Sequence, residues 1–229
     1  PLDETGKKAP LKESFLIART ATTVAQFARF IESRGFVANE KRRIELPTKW
    51  EEQVRFGNRP VWGVNWYTAR AYCDWLSNQA LEKDKAHSAT LPTEWQWQCA
   101  ARLLADGKPH AVKFPWGGSD ESEISRYGNT AATGIKRVVA VGSFEPTGPG
   151  LYDMAGNVWE WMDNDWAEGI DPNAARIGRT APKHPARRGG SWLDLPEFAA
   201  CSYRGRLPPG YWGNDLGFRV VLSLAKSEA

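Results

Sequence analysis

The sequence predicts an α+β domain with few helices, a small twisted antiparallel sheet and much irregular loop. Three observations carry this. Apolar residues recur at helical spacing only before Phe114-Pro115-Trp116-Gly117. Beyond that point, short β-like runs alternate with Gly, Pro, Asn and Asp. The 229 residues also include 12 Trp, 21 Gly and 15 Pro, a mixture that suits loops held rigid by aromatic clusters. Neither an internal repeat nor a linker composition is visible, so residues 1–229 read as a single domain.

Taken in order, Phe15 to Ala18 reads as a short strand. Thr22 or Thr23 then caps a helix in which Val24, Phe27, Phe30 and Ile31 share a face, with Gly35 at its C-terminal end. Residues 38–60 are charged and irregular, an excursion with at most one helical turn. A second helix runs from about Trp66 to Gln79, with Ala69, Tyr72, Cys73 and Leu76 on one side. Cys73 then reads as a small core residue rather than a nucleophile. A third helix begins after Leu91-Pro92, where Thr93 and Gln96 form a capping box. The expected strands are 138–144, 158–162, 186–192 and 216–223.

Composition excludes several functions. Lys and Arg total 30 against 27 acidic residues, a net charge of +3, which lacks the concentrated basic surplus of a nucleic-acid binder. No apolar run is long enough to span a membrane, and Pro1 to Pro10 does not read as a signal peptide. Cys73, Cys99 and Cys201 form no CxxC, and His87, His110 and His184 lie far apart, so no zinc or iron–sulfur spacing exists.

Seven segments, in order along about 200 residues, carry a family resemblance. They are the first helix around Phe27–Phe30, PVWGVNWYTARAYCDW (60–75), LPTEWQWQCAAR (91–102), FPWG (114–117), GLYDMAGNVWEW (150–161), RGGSW (188–192) and LGFR (216–219). Together they resemble the formylglycine-generating enzyme, or sulfatase-modifying factor, family. The resemblance implies a C-type-lectin-like fold, in agreement with the α+β reading.

It also implies calcium. Asp153, Gly156, Val158 and Glu160 alternate around a Gly-Asn turn, and two carboxylates with two carbonyls make a hard oxygen cage suited to that ion. The family binds structural calcium at the matching positions, through side chains at 153 and 160 and carbonyls at 156 and 158. The other reading is that Asp153 caps the turn and Glu160 pairs with an arginine. A second family calcium site starts at a position matching Asn129, but GNTAATGIKR (128–137) supplies no carboxylate, and that site is not expected.

The catalytic segment departs from the family. Its oxidase members bind copper through two cysteines just after the RGGS motif, whereas residues 193–200 contain none. Carboxylates do not replace thiolates for copper(I), so no copper and no formylglycine chemistry are expected. The iron-dependent sulfoxide synthases of the family are excluded likewise. Cys201 matches a third family cysteine that in some members bonds to the third helix, which implies a Cys99–Cys201 disulfide; two separate buried thiols are the alternative. A bond would place the protein outside the cytoplasm.

The segment 192–219 lines the family's substrate groove. Here it offers Asp194, Phe198, Tyr203, Arg206, Tyr211, Trp212, Asn214 and Asp215, aromatic and charged groups of the kind that anchor ligands. Trp192, Arg204 and Arg219 read as framework. The segment also resembles the variable region of retroelement-diversified binders, with mixed residue types at 193–195, 198, 205–208, 211 and 213–215 between fixed motifs. The leading expectation is a non-catalytic binding or regulatory protein, akin to type VI secretion accessory proteins or diversified binders, that takes a protein or small-molecule ligand at this face. It would be periplasmic or otherwise extracytoplasmic, with a cytoplasmic location as the alternative. A copper-independent oxidoreductase of siderophore (pyoverdine) maturation, using Asp194, Glu197 or Tyr203 for proton transfer, is the second expectation. A calcium-dependent lectin is the third.

Overall fold

A computed structural model describes residues 14–33, 36–38, 43–81, 87–108, 110–168 and 182–224. Strand β1 (Phe15–Ile17) leads into helix α1 (Val24–Glu32). Thr23 is the N-cap: its hydroxyl accepts from the Gln26 amide, and the Gln26 side chain accepts from the Thr23 N–H. Helix α1 stops at Ser33, whose N–H bonds back to Arg29 and Phe30; the expected Gly35 lies outside the described residues. The single turn in the charged excursion is α2 (Trp50–Gln53), and α3 runs from Trp66 to Leu81. After β2 (His87–Thr90), α4 (Glu94–Ala101) starts on the Thr93/Gln96 capping box read from the sequence. A short α5 (Ile124–Tyr127) ends the helical half.

The strands form two small sheets rather than one. β7 (Val221–Leu224) pairs antiparallel with both β1 and β2, in the order β1-β7-β2. The second sheet is β5-β4-β3-β6, built from β3 (Trp159–Asp165), β4 (Pro185–Arg188), β5 (Gly205–Arg206) and β6 (Leu216–Gly217). Its β3–β6 pair is parallel and its other pairs are antiparallel, so the fold is the expected α+β arrangement of few helices and small, mainly antiparallel sheets. The expected strand 216–223 is two strands. Between them Phe218 and Val220 give their carbonyls to Thr22 and Ala18, and the chain passes from one sheet to the other.

The expected strand 138–144 does not form, because its backbone groups are used elsewhere. Val139 exchanges hydrogen bonds with the Asn157 side chain, Val141 donates to the Asn58 carbonyl, and Gly142 donates to Asp153. Conversely β2 reads HSAT, with no strand signal of its own; the partner β7 and the Ser77 hydroxyl bonded to Ala89 hold it extended.

The core is aromatic and spans both halves. Phe27 stacks on Tyr72 at 5.5 Å and meets Phe218 edge-on at 6.1 Å. Trp159 and Trp161 of β3 are fully buried in the same cluster. Buried indoles need acceptors. Trp66 donates to the Met162 carbonyl and Trp161 to that of Val64, which ties the start of α3 to β3.

Candidate functional site

Two arginines, Arg188 fully buried and Arg204 half-buried, shape the segment between β4 and β6. Arg188 ends β4 with no exposed surface. Its guanidinium donates to Glu94 at 2.9 Å, to Gln98 at 2.9 Å, and to the carbonyls of Cys201 and Tyr203 at 2.9 and 2.8 Å. Burial pulls its pKa down to about 10, which leaves it cationic at neutral pH. Glu94, the acid of the LPTE motif, is also gripped by Arg204 through two bonds of 2.6 Å and by Asn164. Arg204 is thus framework, as expected. Because one face of β4 is spent on Arg188, the preceding Arg187 projects to the other.

Arg187 is the centre of the site, and the sequence reading missed it. Its guanidinium lies over the Trp159 ring, 4.2 Å from the centroid, and its Nε is buried without a hydrogen-bond partner. Asp215 approaches it at 3.9 Å. Burial lowers the Arg187 pKa, while Asp215, Asp194, Tyr211 and Tyr203 act in the opposite direction. Asp215 is raised by burial, with Arg187 opposing and Asp194 adding. Two carboxylates, two phenols and one guanidinium therefore share a common field. Asp194 is held by the Trp159 indole at 2.8 Å and by the Ser191 hydroxyl, and its own carbonyl receives Ala131. Tyr203 packs between Phe198 (4.7 Å) and Trp159 (5.9 Å).

The eight expected ligand-face residues divide accordingly. Asp194, Phe198, Tyr203, Tyr211 and Asp215 gather about Arg187 and Trp159. Arg206 stands apart, stacked 4.4 Å over Trp166. Tyr211 is 45% and Trp212 50% exposed, which makes them surface groups of the loop that carries the exposed Asn214. Trp192 donates to the Asn214 carbonyl at 3.2 Å and steadies that loop. The available signal for Arg187 was the RR pair: with one arginine committed inward, alternation sends its neighbour to the site.

The implied calcium positions fit in part. Asp153 sits at φ 56° and is 4% exposed. One carboxylate oxygen receives Gly142 at 2.9 Å, while the other is buried with no partner. Burial raises its pKa to about 6. An orphaned carboxylate oxygen suits a cation. Glu160 is committed elsewhere, taking Arg219 on both oxygens at 2.9–3.1 Å and the Trp97 indole at 2.7 Å. Arg219 also holds the carbonyls of Ala18 and Tyr152. This is the arginine pairing left open as the other reading. Gly156, at φ 78°, and Val158 are buried in the turn between them. Among the described residues no cluster of three or more His, Cys, Asp or Glu is placed to bind a metal. Asn129, at the second site, has its amide used by Arg137, Asn157 and Thr133.

The three cysteines are free buried thiols, and the Cys99–Cys201 bond is not formed. Cys99 packs with Trp95 on one side of α4, whereas Cys201 packs with Trp97 and Ala101 on another. Cys201 Sγ donates to the Ala101 carbonyl at 3.5 Å. Burial pushes both thiols up to about 12.

Comparison with known proteins follows the same lines. The model of the sulfatase-modifying factor enzyme 1-like domain matches residues 4–224. The serine/threonine-protein kinase pkn1 of Chlamydia pneumoniae is 29% identical over 97% of this chain and 35% of its own length. The formylglycine-generating enzyme of Mus musculus is 29% identical over 72% of this chain and 44% of its own. The inactive C-alpha-formylglycine-generating enzyme 2 of Bos taurus is 30% identical over 71% and 50%. The chain thus spans between a third and a half of these relatives. PvdO from Pseudomonas aeruginosa superposes with a TM-score of 0.70 at 24% identity, covering 92% of this chain and 80% of that one. Variable protein 1 of Treponema denticola superposes at 0.66 and 24%, covering 90% and 84%. These two likenesses concern the fold. The family match across residues 4–224, on a fold whose motif residues Glu94, Glu160, Arg188 and Arg219 pair with one another, makes this chain a member of the sulfatase-modifying factor enzyme family.

Proposed function

We propose that this chain is a binding or regulatory module on a formylglycine-generating-enzyme scaffold, recognising a protein or small-molecule ligand through the 192–219 face without copper chemistry. The observation that carries the reading is Arg187. A guanidinium stacked on Trp159, with one buried donor unspent and Asp194, Asp215, Tyr203 and Tyr211 around it, is a preformed anchor for a polar ligand. Residues 193–200 hold no cysteine, and the three thiols present are buried, so no accessible thiolate is available for copper(I). The match to an inactive bovine relative supports a recognition role without formylglycine chemistry. Structural calcium belongs to the same proposal. Asp153, with the carbonyls of Gly156 and Val158, would hold the ion, and Glu160 reaches it only by sharing its carboxylate with Arg219. An extracytoplasmic location remains part of the proposal and draws nothing from a disulfide.

The test of non-catalysis is turnover. Incubation with cysteine-containing peptides, copper(I) and dioxygen is expected to yield no aldehyde by mass spectrometry. Catalytic aldehyde formation, or dioxygen-dependent turnover of aromatic siderophore precursors, would replace the binding reading with an enzymatic one.

A further inference from the structure

A cavity of about 290 Å³ adjoins the ligand face and shares Trp192 and Asn214 with it. One wall runs from Lys49, the N-cap of α2, to the turn after that helix with Phe56 and Arg59; the other is Lys136 and Arg137. Trp62, Val138 and Trp192 supply apolar surface between them. That volume sits at the lower end of small-molecule sites, roughly 300–1,000 Å³.

The charge is one-sided. Four cationic side chains line the cavity against the single carboxylate of Glu52, which already faces Lys49 at 3.6 Å. Among the described residues, Arg59, Lys136 and Arg137 have no acidic partner within 4.0 Å. Arg59 lies over the Phe56 ring at 3.9 Å. Burial, and then the like charge of Arg137, lower its pKa, so the two guanidiniums feel one another. Cations facing each other across a cleft repel until an anion enters, and the low-dielectric walls concentrate their field.

The walls are fixed. Gln53, 4% exposed, bonds the Thr48 and Trp62 carbonyls and the Trp62 N–H, locking α2 to Trp62. Across the cavity, the Arg137 carbonyl is held by Asn129 and Val139 by Asn157. Lys49 and Lys136 both adopt left-handed backbone, at φ 53° and 58°, where glycine or asparagine is the usual occupant. Trp192 is pinned by its indole bond to Asn214. A rigid cavity loses little entropy on binding.

We propose that this cavity binds a small organic anion, its carboxylate or phosphate between Arg59 and Arg137 and an aromatic or branched apolar group against Trp62 and Trp192. Arginine pairs suit planar oxyanions, and the tryptophans select against a bare ion.

Calorimetric titration of the chain with benzoate, phenyl phosphate, inorganic phosphate and neutral benzamide tests this. Saturable binding of benzoate or phenyl phosphate is expected, with benzamide and inorganic phosphate at least about 10-fold weaker. The two anionic arms separate a carboxylate ligand from a phosphate ester. The double variant Arg59→Gln/Arg137→Gln, at a half-buried and an exposed position, should weaken binding by at least the same factor while keeping the thermal midpoint of the parent. Absence of saturable binding up to about 10 mM, equal affinity for benzamide, equal affinity for inorganic phosphate, or an unaffected folded double variant would each overturn the proposal.

Discussion

Arg188 is the residue on which the ligand segment turns. It neutralises Glu94 and satisfies two carbonyls of the segment at once. Removing one partner of such a buried pair leaves an uncompensated charge and costs about 3–5 kcal/mol. Arg219→Ala is therefore expected to lower the urea-unfolding free energy by that order through Glu160, and Arg188→Ala, which leaves Glu94 on Arg204 but strips Gln98 and two carbonyls of their donor, by about 3 kcal/mol. Arg187→Ala loosens only the 3.9 Å pair with Asp215, so it should cost less stability than Arg188→Ala and act chiefly on ligand binding. A loss of stability from Arg187→Ala as large as from Arg188→Ala would show that both arginines are framework. The cysteines give a second residue-scale prediction. Cys99 and Cys201 have thiols pushed up to about 12 by burial, and so does the Tyr72 phenol. A folded pKa above the unfolded one stabilises the fold below the unfolded value and withdraws that support as pH climbs toward the folded value. Stability should accordingly fall between about pH 9 and 12, and the thiols should resist iodoacetamide at pH 8.5 until urea unfolds the chain. Prompt labelling of the folded protein would contradict their burial.

At the scale of elements, local signals and long-range pairing divided the work. The Thr93/Gln96 capping box starts α4 as the sequence implies, and Thr93→Ala should cost about 1 kcal/mol in thermal or urea unfolding. Gly156 is constrained twice: at φ 78°, its added Cβ would stand 2.2 Å from the Asn129 carbonyl oxygen. Gly156→Ala should destabilise by more than the capping variant in the same measurement, because backbone must move. Helix α1 and helix α3 were legible because Phe27, Phe30, Tyr72 and Cys73 keep helical spacing on buried faces. Strand β2 was not, because HSAT is held extended from outside, by its partner β7 and by Ser77. The run 138–144 misled in the opposite sense: its valines look like a strand, yet Asn157, Asn58 and Asp153 take its hydrogen bonds. The site divided similarly. Asp194, Tyr203, Tyr211 and Asp215 were visible as chemistry between family motifs, while Arg187 depended on knowing that Arg188 turns inward. Glu160 was visible as an acid whose partner, an arginine or an ion, spacing alone left open.

For the whole molecule, the Glu94–Arg188 and Asp163–Arg70 pairs and an aromatic core join helices to the sheets, Glu160–Arg219 joins β3 to the passage between the sheets, and calcium would add to them near Asp153. Calcium-saturated chain is expected to melt several degrees above the same chain in chelator, as binding to the folded state alone requires. Asp153→Asn should abolish that difference; a midpoint indifferent to calcium would remove the ion from the proposal and leave Glu160 solely as the partner of Arg219. The proposed recognition function requires the face around Arg187 to be a binding surface. The most direct measurement immobilises the chain beside its Arg187→Ala and Tyr211→Ala/Trp212→Ala variants, exposes all three to envelope and cytosolic extracts of the source cell, and quantifies what is retained. The account predicts one macromolecule or glycan held by the parent and lost at least about 10-fold from both folded variants. Equal retention by all three would contradict it and move recognition off the 192–219 face.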